Sequence, residues 1–200
     1  MKTLARTLVR GVAFACLWLA ATEAEAVAPR AYVSTAGNDA NVCSNPATPC
    51  RTFVGAISQV LSGGEVIVLD SGTFGGGTIT KSVTINAPGG VAALVATPLL
   101  VNAGASDVVT LRGLTFVSPT VGSGTALTFA AGAGLNLENS VIHGWSTGLS
   151  FGVAGKLNVT NSVVRDNAVD GIYLSAGSGA LEASIEGSRL LGNGTGLKVQ

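Results

Sequence analysis

The densest group of residues that could carry out chemistry lies between residues 165 and 170. Arg165, Asp166 and Asp170 place a base and two acids close together, with Asn167 between them. Carboxylate oxygens are the ligands that Ca²⁺ prefers, so Asp166 and Asp170 are candidate calcium ligands. Arg165 would have to lose its proton to act as a base, which a guanidinium resists. Because Asp and Asn also cap polar turns, we favour a structural role for this segment.

The only histidine and the second of the two tryptophans are close neighbours, His143 and Trp145. Histidine is the most common acid–base residue, which makes His143 a further catalytic candidate beside a surface role. The Trp145 ring, if exposed, would suit stacking on a sugar ring, and it would equally suit packing against a neighbouring loop. The sequence assigns no catalytic residue beyond these candidates.

Composition excludes several classes of protein. The formal net charge is zero, and 11% of residues are charged, against about 25% in typical domains. No basic surface therefore favours nucleic acid. Long uncharged stretches near residues 82–106 and 113–137 are interrupted by Pro and Gly, so we predict no membrane span in the mature chain.

Residues 1–26 have the features of a secretory signal peptide. Three basic residues precede an apolar run at residues 11–21, and an Ala-Glu-Ala motif ends at Ala26. Cleavage there predicts a secreted or periplasmic mature chain. Cys43 and Cys50 would then be its two cysteines, and one close pair in an exported chain most simply forms a disulfide.

A motif that recurs in the second half of the chain predicts the fold. Its copies align Ser140, Ser162 and Ser188, which are 22 and 26 residues apart. Each copy contains short alternations of apolar residues bounded by Gly and Asn, which are typical of strands and corners. A period of this length predicts an all-β, right-handed parallel β-helix, a solenoid whose stacked coils share one interior. The three serines should then form one file.

Stacked coils would bring other residues into register. Asn139 would lie over Asn161, where a ladder of side-chain hydrogen bonds could form. Glu138 and Glu186 would be about 10 Å apart with Thr160 between them, near the upper limit for an inverting glycosidase pair. We favour the simpler interpretation that Thr160 separates like charges.

The chain divides into three predicted parts: the signal peptide, an N-terminal segment at residues 27–64 with a disulfide loop and a capping helix, and β-helix repeats at residues 65–200. Five apolar residues of the N-terminal segment have helical spacing, and glycines 63 and 64 should end that helix. The five are Phe53, Ala56, Ile57, Val60 and Leu61. At the other end, residues 183–200 form a coil that nothing in the sequence covers, so we predict end-to-end self-association there.

Four segments together carry a family resemblance: residues 31–39, the loop from Cys43 to Cys50, residues 51–57 and residues 64–72. They resemble the N-terminal part of bacterial right-handed β-helix proteins of the pectate-lyase-like superfamily. The resemblance implies this fold for nearly the whole mature chain. That superfamily includes lyases, hydrolases, epimerases and adhesins, so the fold does not decide the function.

The leading interpretation is a secreted β-helix scaffold, without cofactor, that binds polysaccharide along the outer face of a sheet. One alternative is a polysaccharide lyase or glycoside hydrolase acting on a uronide-type glycan, with calcium needed only in the lyase. The other alternative is a fragment of a cell-surface adhesin.

Overall fold

The computed structural model describes residues 28–177 and 179–200, so the predicted signal peptide lies outside the described residues. These residues form one short helix, α1 (Phe53–Gln59), and 19 strands. No helix among them is long and apolar enough to cross a membrane. The strands are β1 (Ala28–Val33), β2 (Val60–Val68), β3 (Gly72–Thr73), β4 (Gly77–Ile79), β5 (Val83–Asn86), β6 (Ala93–Val95), β7 (Leu99–Asn102), β8 (Val108–Arg112), β9 (Leu114–Val117), β10 (Thr125–Ala131), β11 (Gly134–Glu138), β12 (Val141–His143), β13 (Thr147–Phe151), β14 (Gly155–Thr160), β15 (Val163–Arg165), β16 (Asp170–Leu174), β17 (Leu181–Glu186), β18 (Arg189–Leu191) and β19 (Thr195–Val199).

The strands form three parallel sheets, and from β2 onward every third strand joins the same sheet. Sheet A has the order β1-β2-β5-β8-β11-β14-β17, sheet B the order β3-β6-β9-β12-β15-β18, and sheet C the order β4-β7-β10-β13-β16-β19. Each coil therefore contributes one strand to each sheet. From the first to the last strand of sheet B the chain makes about five turns, which confirms the predicted parallel solenoid.

The three serines form the predicted file, and their hydroxyl groups join successive coils. The Ser162 Oγ accepts a hydrogen bond from the backbone N–H of Ser140 at 3.1 Å, and the Ser188 Oγ accepts one from Ser162 at 3.0 Å. The Ser140 Oγ accepts from the N–H of Leu114 at 3.1 Å. Because Ser140 and Ser162 are each 1% exposed, these bonds satisfy backbone groups that water cannot reach.

The corner between sheets A and B has a left-handed backbone in several coils. Asn139 and Asn161 have φ values of 49° and 50°, a conformation that Asn tolerates better than most residues. No side-chain hydrogen bond joins these two residues in the described chain. The amide ladder instead joins Asn136 and Asn158, because paired strands hold those two residues in register, whereas the corner residues follow the ends of their strands.

The interior of the coils before β17 is mainly apolar. Alternate residues of most strands there are buried, as in the file of Leu111, Leu137 and Val159 from neighbouring strands of sheet A. Phe129 and Phe151 stack with their ring centroids 4.2 Å apart. A narrow, continuous core of this kind explains why so few residues are charged.

Helix α1 lies beside the first coil, and the prediction of its end was wrong. Thr52 caps its N-terminus, since the Thr52 side chain accepts a hydrogen bond from the Gly55 N–H at 3.0 Å. Val60 is already extended, with φ −96° and ψ 146°, because it begins β2. The helix therefore ends at Gln59, before the two glycines, and Leu61 is 46% exposed.

The N-terminal segment is bound tightly to the solenoid. Strand β1 pairs with β2 in parallel, so sheet A begins inside the predicted segment of residues 27–64. The predicted disulfide between Cys43 and Cys50 is present. Cys50 also forms a parallel bridge with Val33 at the end of β1.

A carboxylate fixes the turn after β1. Asp70 accepts hydrogen bonds from the Ser34 hydroxyl at 2.8 Å, the Thr35 N–H at 2.9 Å and the Thr35 hydroxyl at 2.8 Å. Burial by itself would raise the pKa of Asp70. The hydrogen bonds and the charge of Arg51 outweigh burial, and the pKa lies below the ordinary value of 3.8.

Candidate functional site

The outer face of sheet A is covered by polar side chains in register. One row crosses five successive strands at a spacing of about 4.8 Å. It consists of Thr84, Thr110, Asn136, Asn158 and Ser184. The residues on either side of them along each strand point into the core, because side chains alternate between the two faces of a sheet.

Hydrogen bonds hold the amides of this row in place. The Asn158 Nδ2 donates to the Asn136 Oδ1 at 2.9 Å, and the Asn136 Nδ2 donates to the Thr110 Oγ1 at 3.1 Å. An Asn amide has two donor hydrogens and an acceptor oxygen. Each of these two amides therefore keeps a donor for a ligand while its orientation is fixed.

The neighbouring row carries charges that are mostly paired. The Arg112 Nε lies 2.8 Å from the Glu138 Oε2. Glu138 pairs in register with Thr160, and Thr160 pairs with Glu186, as predicted. Glu138 is ion-paired with Arg112. Glu138 is therefore better suited to balancing that charge than to acting with Glu186 as a catalytic acid–base pair.

A cleft of about 360 Å³ lies where this face meets the corner toward sheet B. The loop at residues 87–91, after β5, forms one wall, and Arg112, Gly113 and Asn139 form the other. At the entrance, Asn86 donates to Glu65 at 2.9 Å. The next coil crosses the same corner with Gly113 alone between its strands, so the longer loop stands above the surface.

The predicted acid–base segment is divided between two places. Asp166 lies at the corner between sheets B and C with φ 55°, where it forms an exposed ion pair with Arg165. Asp170 begins β16 in sheet C, pairs in register with Thr147 and Thr195, and is 6% exposed.

The buried Asn167 lies between these two carboxylates in the chain. No group of three or more acidic, His or Cys residues that could hold a metal ion occurs in the described chain. The residues present thus offer Ca²⁺ one ion-paired and one buried carboxylate, which is a poor fit to the six to eight oxygens it takes.

His143 is half-buried on the outer side of sheet B. It pairs in register with Val117 on one side and Arg165 on the other. Burial lowers the pKa of His143, the charge of Arg165 lowers it further, and Asp166 acts in the opposite direction. His143 therefore remains neutral to lower pH than an ordinary histidine.

Trp145 takes the place that asparagines hold in the following coils. The Trp145 N–H donates to the Asn167 Oδ1 at 3.0 Å, and the Asn167 N–H donates to the Asn193 Oδ1 at 3.1 Å. Trp145 is 2% exposed. A Cβ placed on Gly124 would lie 3.7 Å from the Trp145 ring, so the ring packs beside the loop before β10 and does not present an open face.

The comparisons with known proteins agree with this architecture. No family model and no curated protein matches the sequence. Among solved structures, the crystal structure of pectate lyase Pel9A matches with a TM-score of 0.57 and 21% identity, over 80% of this chain and 46% of that one. This chain is a parallel β-helix whose fold is similar to that of pectate lyase Pel9A. It spans about half of the matched structure, and at this identity the likeness concerns the fold.

In this β-helix, sequence reasoning named some of the residues that the fold brings together and missed others. It placed Glu138, Thr160 and Glu186 in one row. It missed the cleft beside Arg112, although the Pro-Gly-Gly sequence at residues 88–90 lengthens one corner and was a usable signal. The amide row was also missed, because its members do not share one residue type.

Proposed function

We propose that this β-helix is an exported scaffold that binds polysaccharide along the outer face of sheet A. The observation that carries the proposal is the row from Thr84 to Ser184, in which fixed amides and hydroxyls recur once per coil. A spacing of about 4.8 Å is comparable to the length of one sugar ring in an extended chain. Successive coils can therefore offer similar contacts to successive sugars.

The chemistry of the face suits a ligand rich in hydroxyl groups. Sugar hydroxyls both donate and accept hydrogen bonds, and the amides of Asn136 and Asn158 can do the same. The charges nearby are largely paired, as in Arg112 with Glu138 and Lys156 with Glu182. The cleft beside Arg112 adds a wall, and its volume of about 360 Å³ is within the range of ligand pockets.

Export is part of the proposal. The disulfide between Cys43 and Cys50 is typical of proteins in the periplasm or outside the cell, and residues 1–26 are the predicted signal peptide. Pectate lyase Pel9A, which shares the fold, is named for a polysaccharide substrate. That likeness supports a polysaccharide as the ligand class of this chain.

The test is affinity electrophoresis of the exported protein through gels that contain a panel of neutral and acidic polysaccharides. We expect at least one polysaccharide to retard the protein. The double variant Asn136→Leu/Asn158→Leu removes two amides worth about 0.5–1.5 kcal/mol each, so binding should weaken roughly 5- to 150-fold.

The matched control is Thr128→Leu/Ser150→Leu, which changes two paired residues on the outer face of sheet C. This control should bind like the unmodified protein. Equal binding by both double variants, or no retardation by any polysaccharide, would overturn the proposal.

The same samples distinguish the alternatives. Unsaturated or reducing ends released from a uronide glycan, measured with and without calcium, would identify a lyase or a hydrolase. Retention of the protein in the cell-surface fraction, without binding to soluble glycan, would identify an adhesin fragment.

A further inference from the structure

A second cleft lies on a different corner of the β-helix, between sheets B and C. It has a volume of about 210 Å³ and is lined by the loop before β7, the loop before β10 and Trp145. The loop before β10 covers residues 118–124 and is longer than the same corner in the next coil, which covers residues 144–146. The extra length forms one side of the cleft.

Trp145 lines the cleft because the stacked asparagines of this corner, Asn167 and Asn193, end one coil before it. We call these two residues the asparagine file. In the two following coils Asn167 and Asn193 fill this corner, and both use their amides in hydrogen bonds. Trp145 continues the file only through its backbone N–H. Its indole Nε1 is buried and has no hydrogen-bond partner in the described chain.

The lining of this cleft is mixed and uncharged. Ala96, Pro98 and Pro119 are apolar, and Thr120 and Ser123 carry hydroxyls. Those two hydroxyls make no hydrogen bond within the part of the chain that the structure describes. None of the described residues that line this cleft is charged, in contrast to the cleft beside Arg112.

The volume of the cleft suits a small occupant. An apolar cavity of about 150 Å³ holds one benzene ring. A cleft of about 210 Å³ therefore has room for one six-membered ring with its substituents. A pyranose ring matches this lining, because its C–H faces are apolar and its edge carries hydroxyls.

We propose that this cleft binds one neutral sugar ring, either a free monosaccharide or the end of a sugar chain. The inference rests on the proposed function, since it takes the ligand to be a sugar. Ala96, Pro98 and Pro119 supply the apolar wall, and Thr120 and Ser123 supply hydrogen bonds at the rim.

Tryptophan fluorescence gives a direct test, because Trp18 and Trp145 are the only tryptophans in the sequence. The exported protein, which loses Trp18 with the predicted signal peptide, has Trp145 as its single reporter. It is titrated with glucose, galactose, mannose and galacturonate, and with cyclohexanol as a ring that lacks the sugar hydroxyls. We expect at least one neutral hexose to change the emission saturably with a Kd of about 1 mM, typical of a small ligand.

Two variants examine the cleft without altering Trp145. Ala96→Leu fills the space, and should weaken the response to the hexose at least about 10-fold, while Ala92→Leu on the exposed turn outside the cleft should not. Thr120→Ala/Ser123→Ala should weaken it about 3- to 10-fold, because one or two hydrogen bonds are lost.

The outcomes separate this inference from the proposed function. No emission change with any hexose up to about 100 mM, far above the expected Kd, overturns the single-sugar site even if polysaccharide still retards the protein in gels. An equal response to cyclohexanol, or equal responses of Ala96→Leu and Ala92→Leu, also overturns it. A saturable hexose response without retardation by any polysaccharide supports the cleft and overturns the proposed function.

Discussion

Removing one serine from the file should destabilise the β-helix far more than removing a serine from its surface. In Ser162→Ala the backbone N–H of Ser140 loses its acceptor at 3.1 Å. Both residues are 1% exposed, so water cannot replace the lost hydroxyl. A buried N–H without a partner costs about 1–3 kcal/mol, and we expect the free energy of unfolding to fall by that amount.

The assay is urea unfolding followed by circular dichroism. With an m-value of about 2 kcal/mol/M, the midpoint of Ser162→Ala should fall by roughly 0.5–1.5 M. The control is Ser184→Ala, whose hydroxyl donates to Glu186 on the exposed outer face. Its free energy of unfolding should change by less than about 0.5 kcal/mol.

A variant of a second serine tests the same reasoning. Ser140→Ala should cost a similar amount, because it removes the acceptor of a different buried N–H, that of Leu114. The double variant should depart from the sum of the two losses by about 0.5 kcal/mol or more, because Ser140 and Ser162 are hydrogen-bonded neighbours. If Ser162→Ala were as stable as Ser184→Ala, the hydroxyl file would not be what satisfies the backbone at this corner.

Three further predictions concern other parts of the molecule. Replacing Cys43 and Cys50 together by Ser opens a loop with a sequence separation of 7, and should cost about 2.5 kcal/mol in the chain-entropy model, measured by thermal melting against the oxidised unmodified protein. Because the folded-state pKa of Asp70 is lowered below 3.8, its stabilisation is complete above that pH and is lost as the pH falls through the folded pKa. The difference in stability between the unmodified protein and Asp70→Asn should therefore shrink below pH 3.8, and a constant difference would contradict this. The predicted self-association through residues 183–200, where Leu197 and Val199 are 43% and 68% exposed, should appear in sedimentation as a mass that rises with concentration, and Val199→Lys should reduce it.

The fold was predictable because a β-helix repeats its signals. Ser140, Ser162 and Ser188 show the period directly, and stacking in register follows from it. The capping helix and the disulfide were also predictable, since each depends on residues close together in the chain. Leu61 shows the limit of local pattern: its helical spacing is correct, but pairing of β2 with β1 draws the chain into a strand before the helix reaches it.

The candidate site was less predictable than the fold. The segment from Arg165 to Asp170 concentrates reactive residue types, yet the corner turns Asp166 outward while Asp170 begins the next strand. The directions of these two side chains depend on the left-handed backbone of Asp166. The spacing of residues in the sequence does not reveal that conformation. The row on sheet A is assembled from five different coils, so its members are more than 20 residues apart in the chain.

Amino-acid order by itself determined the coil, because short apolar alternations and Gly or Asn corners are local preferences that recur at a fixed interval. Only the tertiary structure decided what each corner exposes. The loops at residues 87–92 and 118–124 form clefts because the same corners are shorter in the coils that follow them, and Trp145 is buried because one such loop lies against it. These contacts join different coils. Whether a corner is open or covered depends on the length of its loop relative to the loops of neighbouring coils, and no single repeat contains that information.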